Sequence, residues 1–125
     1  KTLKKGSKVT QIITGAGYHK FLSNHMFGLA CGGTCNYMTA KYFQIPALRS
    51  MLVCSNTNGL ELFPKDSYIK YSGDDPEKLC LDIEYFLKNR TEAKERAKVL
   101  SDHVLRNHNH AVRSEQFVSY LKKIL

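Results

Sequence analysis

Lys41-Tyr42-Phe43-Gln44-Ile45-Pro46-Ala47-Leu48-Arg49-Ser50-Met51-Leu52-Val53-Cys54 is the stretch that decides the fold. It reads as a short helix, a stop at Pro46 and Arg49-Ser50, and then a strand over residues 50–54. Met51-Leu52-Val53-Cys54 is an unbroken apolar run, which suits a strand covered on both faces of a parallel sheet. A glycine-rich bend lies on either side: Cys31-Gly32-Gly33-Thr34-Cys35-Asn36 before, Asn56-Thr57-Asn58-Gly59 after. A loop, a helix start and a strand that meet at one edge of a parallel sheet form the usual place for an open α/β sheet to hold a nucleotide.

Outward from this corner, strands and helices alternate. Residues 8–14 are rich in β-branched side chains and predict a strand closed by a Gly15-Ala16-Gly17 turn. Residues 18–25 suit two helical turns with Phe21 and Leu22 on the apolar side, and 26–30 a strand buried on both faces. Asn36 suits an N-cap for a helix over 37–45. Residues 60–63 suit a helical turn closed by Pro64, and 68–71 a short strand. This order is the signature of βαβ units and predicts an α/β fold, a Rossmann-like parallel sheet with flanking helices.

The last third is helical. Asp75-Pro76-Glu77 is a strong helix start, with an N-cap acid, Pro in the first turn and an acid near the positive end of the dipole. Leu79, Ile83, Phe86 and Leu87 then share a face. A second helix from Thr91 carries the stripe Ala93, Ala97, Leu100 and Val104. A third from about Ala111 places Phe117, Val118, Leu121 and Ile124 inward, as a tail that covers the sheet or reaches a neighbouring domain.

The chain of 125 residues suits one domain, and its start at Lys1 rather than Met implies a trimmed beginning. A hydrophobic share of 42% and a charged share of 24% are ordinary globular values. No apolar run reaches the roughly 18 residues of a membrane span. The net charge of +8 favours an anionic partner, with Lys1, Lys4, Lys5 and Lys8 forming a basic lead-in. Cys31, Cys35, Cys54 and Cys80 do not form a disulfide framework and suggest a reducing, cytoplasmic setting.

The common nucleotide and nucleophile motifs are missing. Gly15-Ala16-Gly17 has Lys20 where a dinucleotide fingerprint needs a third glycine, and neither a P-loop nor a Gly-x-Ser-x-Gly elbow is present. Cys31 and Cys35 lack a second close pair of metal donors and read as small loop residues. His103, His108 and His110 read as side chains near the negative end of a helix dipole. The Gly32-Gly33 bend suits close approach of an anion to backbone N–H groups, or, as the more frequent use of such a bend, a turn that needs positive φ.

Lys41-Tyr42-Phe43-Gln44-Ile45-Pro46-Ala47 resembles the Lys-x-Phe-Glu-Ile/Ala-x-Ala segment of GT-B-fold glycosyltransferases, in particular the group with the spore-coat CgeB-like proteins. Asn58-Gly59-Leu60-Glu61-Leu62-Phe63 is similar to their Gly-x-Glu-Glu-Leu-Phe turn. Tyr71 followed by Asp74-Asp75-Pro76-Glu77-Lys78-Leu79 resembles their helix start, and Ile83-Glu84-Tyr85-Phe86-Leu87-Lys88-Asn89 their helix end. His110 to Arg113 sits where they carry His-x-x-x-Arg. The likeness runs over residues 18–125.

The resemblance implies the sugar-nucleotide-binding, C-terminal half of a GT-B enzyme. The donor is then a nucleoside-diphosphate sugar, with Gly32, Gly33, Thr34 and Asn36 near the phosphates and Lys41 as a phosphate cation. Gln44 falls at the ribose contact, where the family has Glu, and Asn56, Thr57 and Asn58 at the pocket rim. A Gln donates and accepts neutral hydrogen bonds but lacks the charge-assisted bond of a carboxylate, which implies weaker donor binding. No metal or other cofactor is implied. Acceptor site and catalytic base are expected on an absent N-terminal domain, so the chain alone is expected not to turn over. A non-catalytic Rossmann-like interaction module is the alternative, and a nucleic-acid or anionic-polymer binder ranks last, because no nucleic-acid motif is present.

Overall fold

The computed structural model describes residues 14–125, so the strand expected over 8–14 lies outside the described residues apart from Thr14. Three strands, β1 (Phe27–Ala30), β2 (Met51–Ser55) and β3 (Ile69–Tyr71), form a parallel sheet in the order β1-β2-β3. Gly28 lies opposite Leu52 and Cys54 opposite Lys70. The fold is a Rossmann-like α/β sheet with flanking helices, as its alternating pattern predicts.

The run Met51 to Cys54 is buried throughout, because β2 is the central strand with helices on both sides. The same expectation fails for β1. Gly28 and Ala30 are buried, but Leu29 on the opposite face is 62% exposed. Among the described residues α2 (Lys41–Ala47) covers one side of β1, while on the other Phe27 packs against the core below and Leu29 is left open. A Cβ on Gly28 would fall 2.6 Å from Cγ2 and 2.9 Å from Cγ1 of Ile45, so α2 rests directly on the strand backbone.

α2 begins later than expected. Asn36 is not an N-cap, since its φ of 51° places it in the left-handed region rather than the extended one that a cap needs. It closes a turn with Gly33 (φ 60°), and Tyr37 then pairs with Asn58 before the helix starts after Ala40. The other end behaves as expected. Pro46 is accommodated in the last turn, and the Arg49 N–H donates to the Pro46 carbonyl (2.8 Å) and Ser50 N–H to that of Ile45 (3.3 Å). This pair of bonds wraps the helix end and sets Arg49 at φ 63°, a position that glycine usually takes. The buried Ser50 Oγ lies 2.6 Å from the Leu22 carbonyl and 2.7 Å from that of His25, so one proton ties the entry of β2 to the helix before β1.

That helix, α1 (Gly15–Ser23), absorbs the expected Gly15-Ala16-Gly17 turn; it buries Leu22 and leaves Phe21 exposed. A 3-10 turn covers Leu60–Leu62, followed by α3 (Pro76–Lys88), α4 (Arg90–Asn107) and α5 (His110–Ile124). Asp75 caps α3 through Oδ1, which accepts the Lys78 N–H at 2.9 Å. Phe86 is buried and Leu87 is not.

Two cores lie on the two sheet faces. One joins Leu52 and Cys54 to Leu22, Tyr42, Ile45, Leu60, Phe63, Leu100 and Val104. The other joins Met51, Val53 and Ile69 to Phe86, Ala93 and Ala97. The expected stripe of α4 is thus buried, its first half in one core and its second half in the other. The inward face expected for α5 is corrected. Phe117, Val118 and Ile124 are exposed, since among the described elements α5 packs appreciably against α4 alone. An amphipathic stripe predicts an apolar face, but not that the chain supplies its cover.

Candidate functional site

Parallel strands direct all their carboxyl ends to one edge, and in open α/β sheets ligands bind outside that edge. Here the edge is built by the segments that follow β1, β2 and β3. The first two are fastened together. Gly32 N–H donates to Ser55 Oγ (3.0 Å), and Ser55 Oγ lies 3.1 Å and its carbonyl 3.2 Å from the Tyr42 hydroxyl. One proton per hydroxyl closes the set: Tyr42 donates to the Ser55 carbonyl and Ser55 Oγ donates back to Tyr42. The buried Tyr42 thereby fixes the start of α2 against the end of β2.

A second fastening follows. Asn58 N–H donates to the Asn36 carbonyl (3.2 Å), and Tyr37 bridges Asn58 in parallel, extending the β1–β2 pairing into the loops. Thr57 is buried between them, its Oγ1 without a hydrogen-bond partner among the described residues. A Cβ on Gly32 would lie 2.2 Å from Thr57 Cγ2, so only glycine lets the loops close this far. Gly33 and Thr34 stand exposed at the tip. Lys41 and Gln44 are exposed on α2, three residues apart and so on one helix face.

Behind the second loop a cavity of about 490 Å3 opens between the ends of β2 and β3 and the start of α3, lined by Ser55, Asn56, Lys70, Tyr71, Ser72 and Lys78 among others. Burial holds the Tyr71 phenol above its usual range, with Cys31, Tyr42 and Cys54 adding to it, so it stays a neutral hydroxyl. Under the edge, burial pushes the Cys54 thiol up to about 12, against a smaller opposing pull from Lys70. The edge therefore offers amides, hydroxyls and ammonium groups, a set suited to holding an anion and sugar hydroxyls.

A family model described as glycosyl transferase-like matches residues 4–119, nearly the whole chain. The chain belongs to the glycosyl transferase-like family. Its chemistry is thereby glycosyl transfer in general terms. No curated protein and no solved structure matches. Among the described residues no helix is long and apolar enough to cross a membrane.

In this glycosyl transferase-like chain the residues predicted from sequence divide into three sets. Gly32, Asn36, Thr57 and Asn58 meet in the fastened loops, and Gly33 and Thr34 cap them. Lys41 and Gln44 flank them on α2, while Asn56 turns to the cavity. The Gly32 N–H expected near a phosphate is instead used by Ser55. The sequence reading missed Tyr42, Ser55, Lys70, Ser72 and Lys78. The available signal was position: Ser55 ends β2, Lys70 stands within β3 and Ser72 follows it, and Tyr42 and Lys78 fall in first helical turns.

His103 and His108 pair at the carboxyl end of α4, where His108 caps the helix as expected near the negative end of its dipole, whereas His110 opens α5. Arg113 lies 2.6 Å from His108 Nδ1, and the His108 and His103 Nε2 atoms are 3.3 Å apart. A guanidinium only donates, so His108 Nδ1 accepts and its Nε2–H donates to His103. Burial first, then Arg113 and His103, hold the His108 pKa below its ordinary value. Cys31, Cys35 and Cys80 are exposed free thiols, and the described residues contain no cluster of three or more potential metal donors.

Proposed function

We propose that this chain is the donor-binding, C-terminal half of a GT-B glycosyltransferase of the CgeB-like kind, taking a nucleoside-diphosphate sugar. The observation that carries the reading is the fastened loop pair at the carboxyl edge, beside the exposed Lys41 and Gln44, in a chain of this family. Sugar transfer breaks the bond from the anomeric carbon to the diphosphate oxygen, and charge collects on the leaving diphosphate. The Lys41 ammonium and the amides at Gly33 and Thr34 meet that charge, and fixed donors of this kind lower the barrier. Gln44 contacts the ribose hydroxyls with neutral hydrogen bonds, and Asn36, Thr57 and Asn58 shape the rim. The acceptor and the catalytic base belong to another domain, so the chain alone binds donor without turnover.

Calorimetric titration with uridine, guanosine, adenosine and thymidine diphosphates tests this. One diphosphate binds, Lys41→Ala weakens it about tenfold, the loss of one charge-assisted contact, and Gln44→Glu keeps or tightens it. Absence of any heat at millimolar diphosphate refutes the reading and leaves a non-catalytic interaction module.

A further inference from the structure

Ser55 closes β2 with a half-buried hydroxyl directly after four buried apolar residues. A hydroxyl in such a place is costly unless it is bonded. Here it is bonded twice. Its Oγ accepts the Gly32 N–H at 3.0 Å and gives its own proton to the Tyr42 hydroxyl at 3.1 Å. Tyr42 has a further hold on β2 through the Ser55 carbonyl at 3.2 Å, which belongs to the backbone and survives any change of the side chain. Gly32 has no such reserve on β2. Its N–H is held by Ser55 Oγ, and its carbonyl accepts the Tyr37 N–H at 3.2 Å. The turn over residues 33–36, closed by the Asn36 N–H on the Gly33 carbonyl at 3.4 Å, therefore hangs from Gly32. Thr57 presses from the other side, since a Cβ on Gly32 would lie 2.2 Å from its Cγ2. Gly32 is thus buried in a slot with a methyl on one side and the Ser55 hydroxyl as the polar hold on the other. A buried N–H that loses its partner carries the full cost of desolvation, so Gly32 without that hydroxyl turns toward water and takes the turn with it. Gly33 and Thr34, exposed at the tip, are aimed by where Gly32 sits.

We propose that Ser55 is a positioning residue for the donor: its hydroxyl, acting through Gly32, sets the Gly33 and Thr34 amides that meet the diphosphate. The role toward the donor rests on the reading above; the hold on the loop does not.

Calorimetry with uridine, guanosine, adenosine and thymidine diphosphates, together with amide NMR spectra of the free chains, tests it on the parent, Ser55→Ala, Ser55→Thr and Tyr42→Phe. Ser55→Ala weakens the diphosphate that the parent binds about tenfold. Ser55→Thr keeps a hydroxyl on a strand that accepts β-branched residues, and recovers most of that loss. Tyr42→Phe removes a hydroxyl from the same cluster but leaves Gly32 bonded to Ser55, so it weakens the diphosphate less than Ser55→Ala does. In the free Ser55→Ala chain the Gly33 and Tyr37 amide resonances move, while those of Ala93 and Ala97 in α4 keep their places, which puts the change in the loop rather than in the fold. If the parent binds none of the four diphosphates, the donor reading fails and this role of Ser55 falls with it. If the parent binds and Ser55→Ala binds equally well, the donor reading stands and the proposal is overturned. It is also overturned if Tyr42→Phe costs as much affinity as Ser55→Ala, if Ser55→Thr binds no better than Ser55→Ala, or if the Gly33 and Tyr37 resonances of Ser55→Ala match those of the parent.

Discussion

Gly28→Ala is the substitution that probes how closely α2 seats on the sheet. The added methyl lies 2.6, 2.9 and 3.0 Å from three carbons of Ile45, whereas carbon contacts settle at about 3.5–4.0 Å. Ile45 is buried and β-branched on a helix, so it has one favoured χ1 and cannot turn aside. The helix must lift instead, against the Tyr42–Ser55 bonds and the wrapped end at Arg49. Overpacking of this kind costs about 3 kcal/mol, and the smaller freedom of Ala in the unfolded chain returns about 0.5–1 kcal/mol. A net loss of about 2 kcal/mol is expected. Ile45→Ala alone loses about 3 kcal/mol by opening a cavity. The double variant decides the matter, because the methyl added at position 28 then occupies the space that Ile45 vacates. Its stability by urea unfolding should match that of Ile45→Ala, a coupling of about 2 kcal/mol, with an unchanged m-value. Losses that simply add, or a neutral Gly28→Ala, refute the direct seating of α2 on β1.

Other outcomes follow from single positions. Arg49→Gly should be more stable than Arg49→Ala by about 1 kcal/mol in the same assay, because only glycine holds φ 63° without strain; equal stabilities remove the wrapped helix end from the account. Iodoacetamide at pH 8 should label Cys31, Cys35 and Cys80 by mass spectrometry and spare Cys54 until the chain unfolds, since a buried thiol at about 12 holds almost no thiolate. The depressed His108 pKa means that the folded chain binds fewer protons than the unfolded one just below 6.5, so stability should fall as pH drops from 6.5 toward the folded value. His108→Gln should flatten that slope; a parent slope of opposite sign contradicts this account of His108.

The alternation of apolar runs and glycine bends made the sheet, the central burial of β2 and the α4 stripe legible, because each rests on a short-range period. Asp75 was legible for the same reason, as an acid three residues before the amide that it caps. The start of α2 was not. Asn36 carries the chemistry of an N-cap, and only its pairing through Tyr37 with Asn58, across more than twenty residues, turns it to the left-handed region instead. Leu29 and α5 misled for another reason. An apolar face is written in the sequence, but what covers it is a property of the assembled molecule. At the site, the glycine bend and α2 announced themselves by composition, whereas Ser55 is an ordinary residue made important by the strand end on which it falls.

The division of α4 between the two cores has a consequence for how the molecule opens. Ala93 and Ala97 anchor in one core, Leu100 and Val104 in the other, and barely a turn of helix separates them. Neither face of the sheet can be stripped without loosening the rod that the other face holds. The two cores therefore melt as one cooperative unit. Backbone amides near the middle of α4 exchange with solvent only when the whole sheet comes apart, while the loops of the carboxyl edge can breathe many times for each such event.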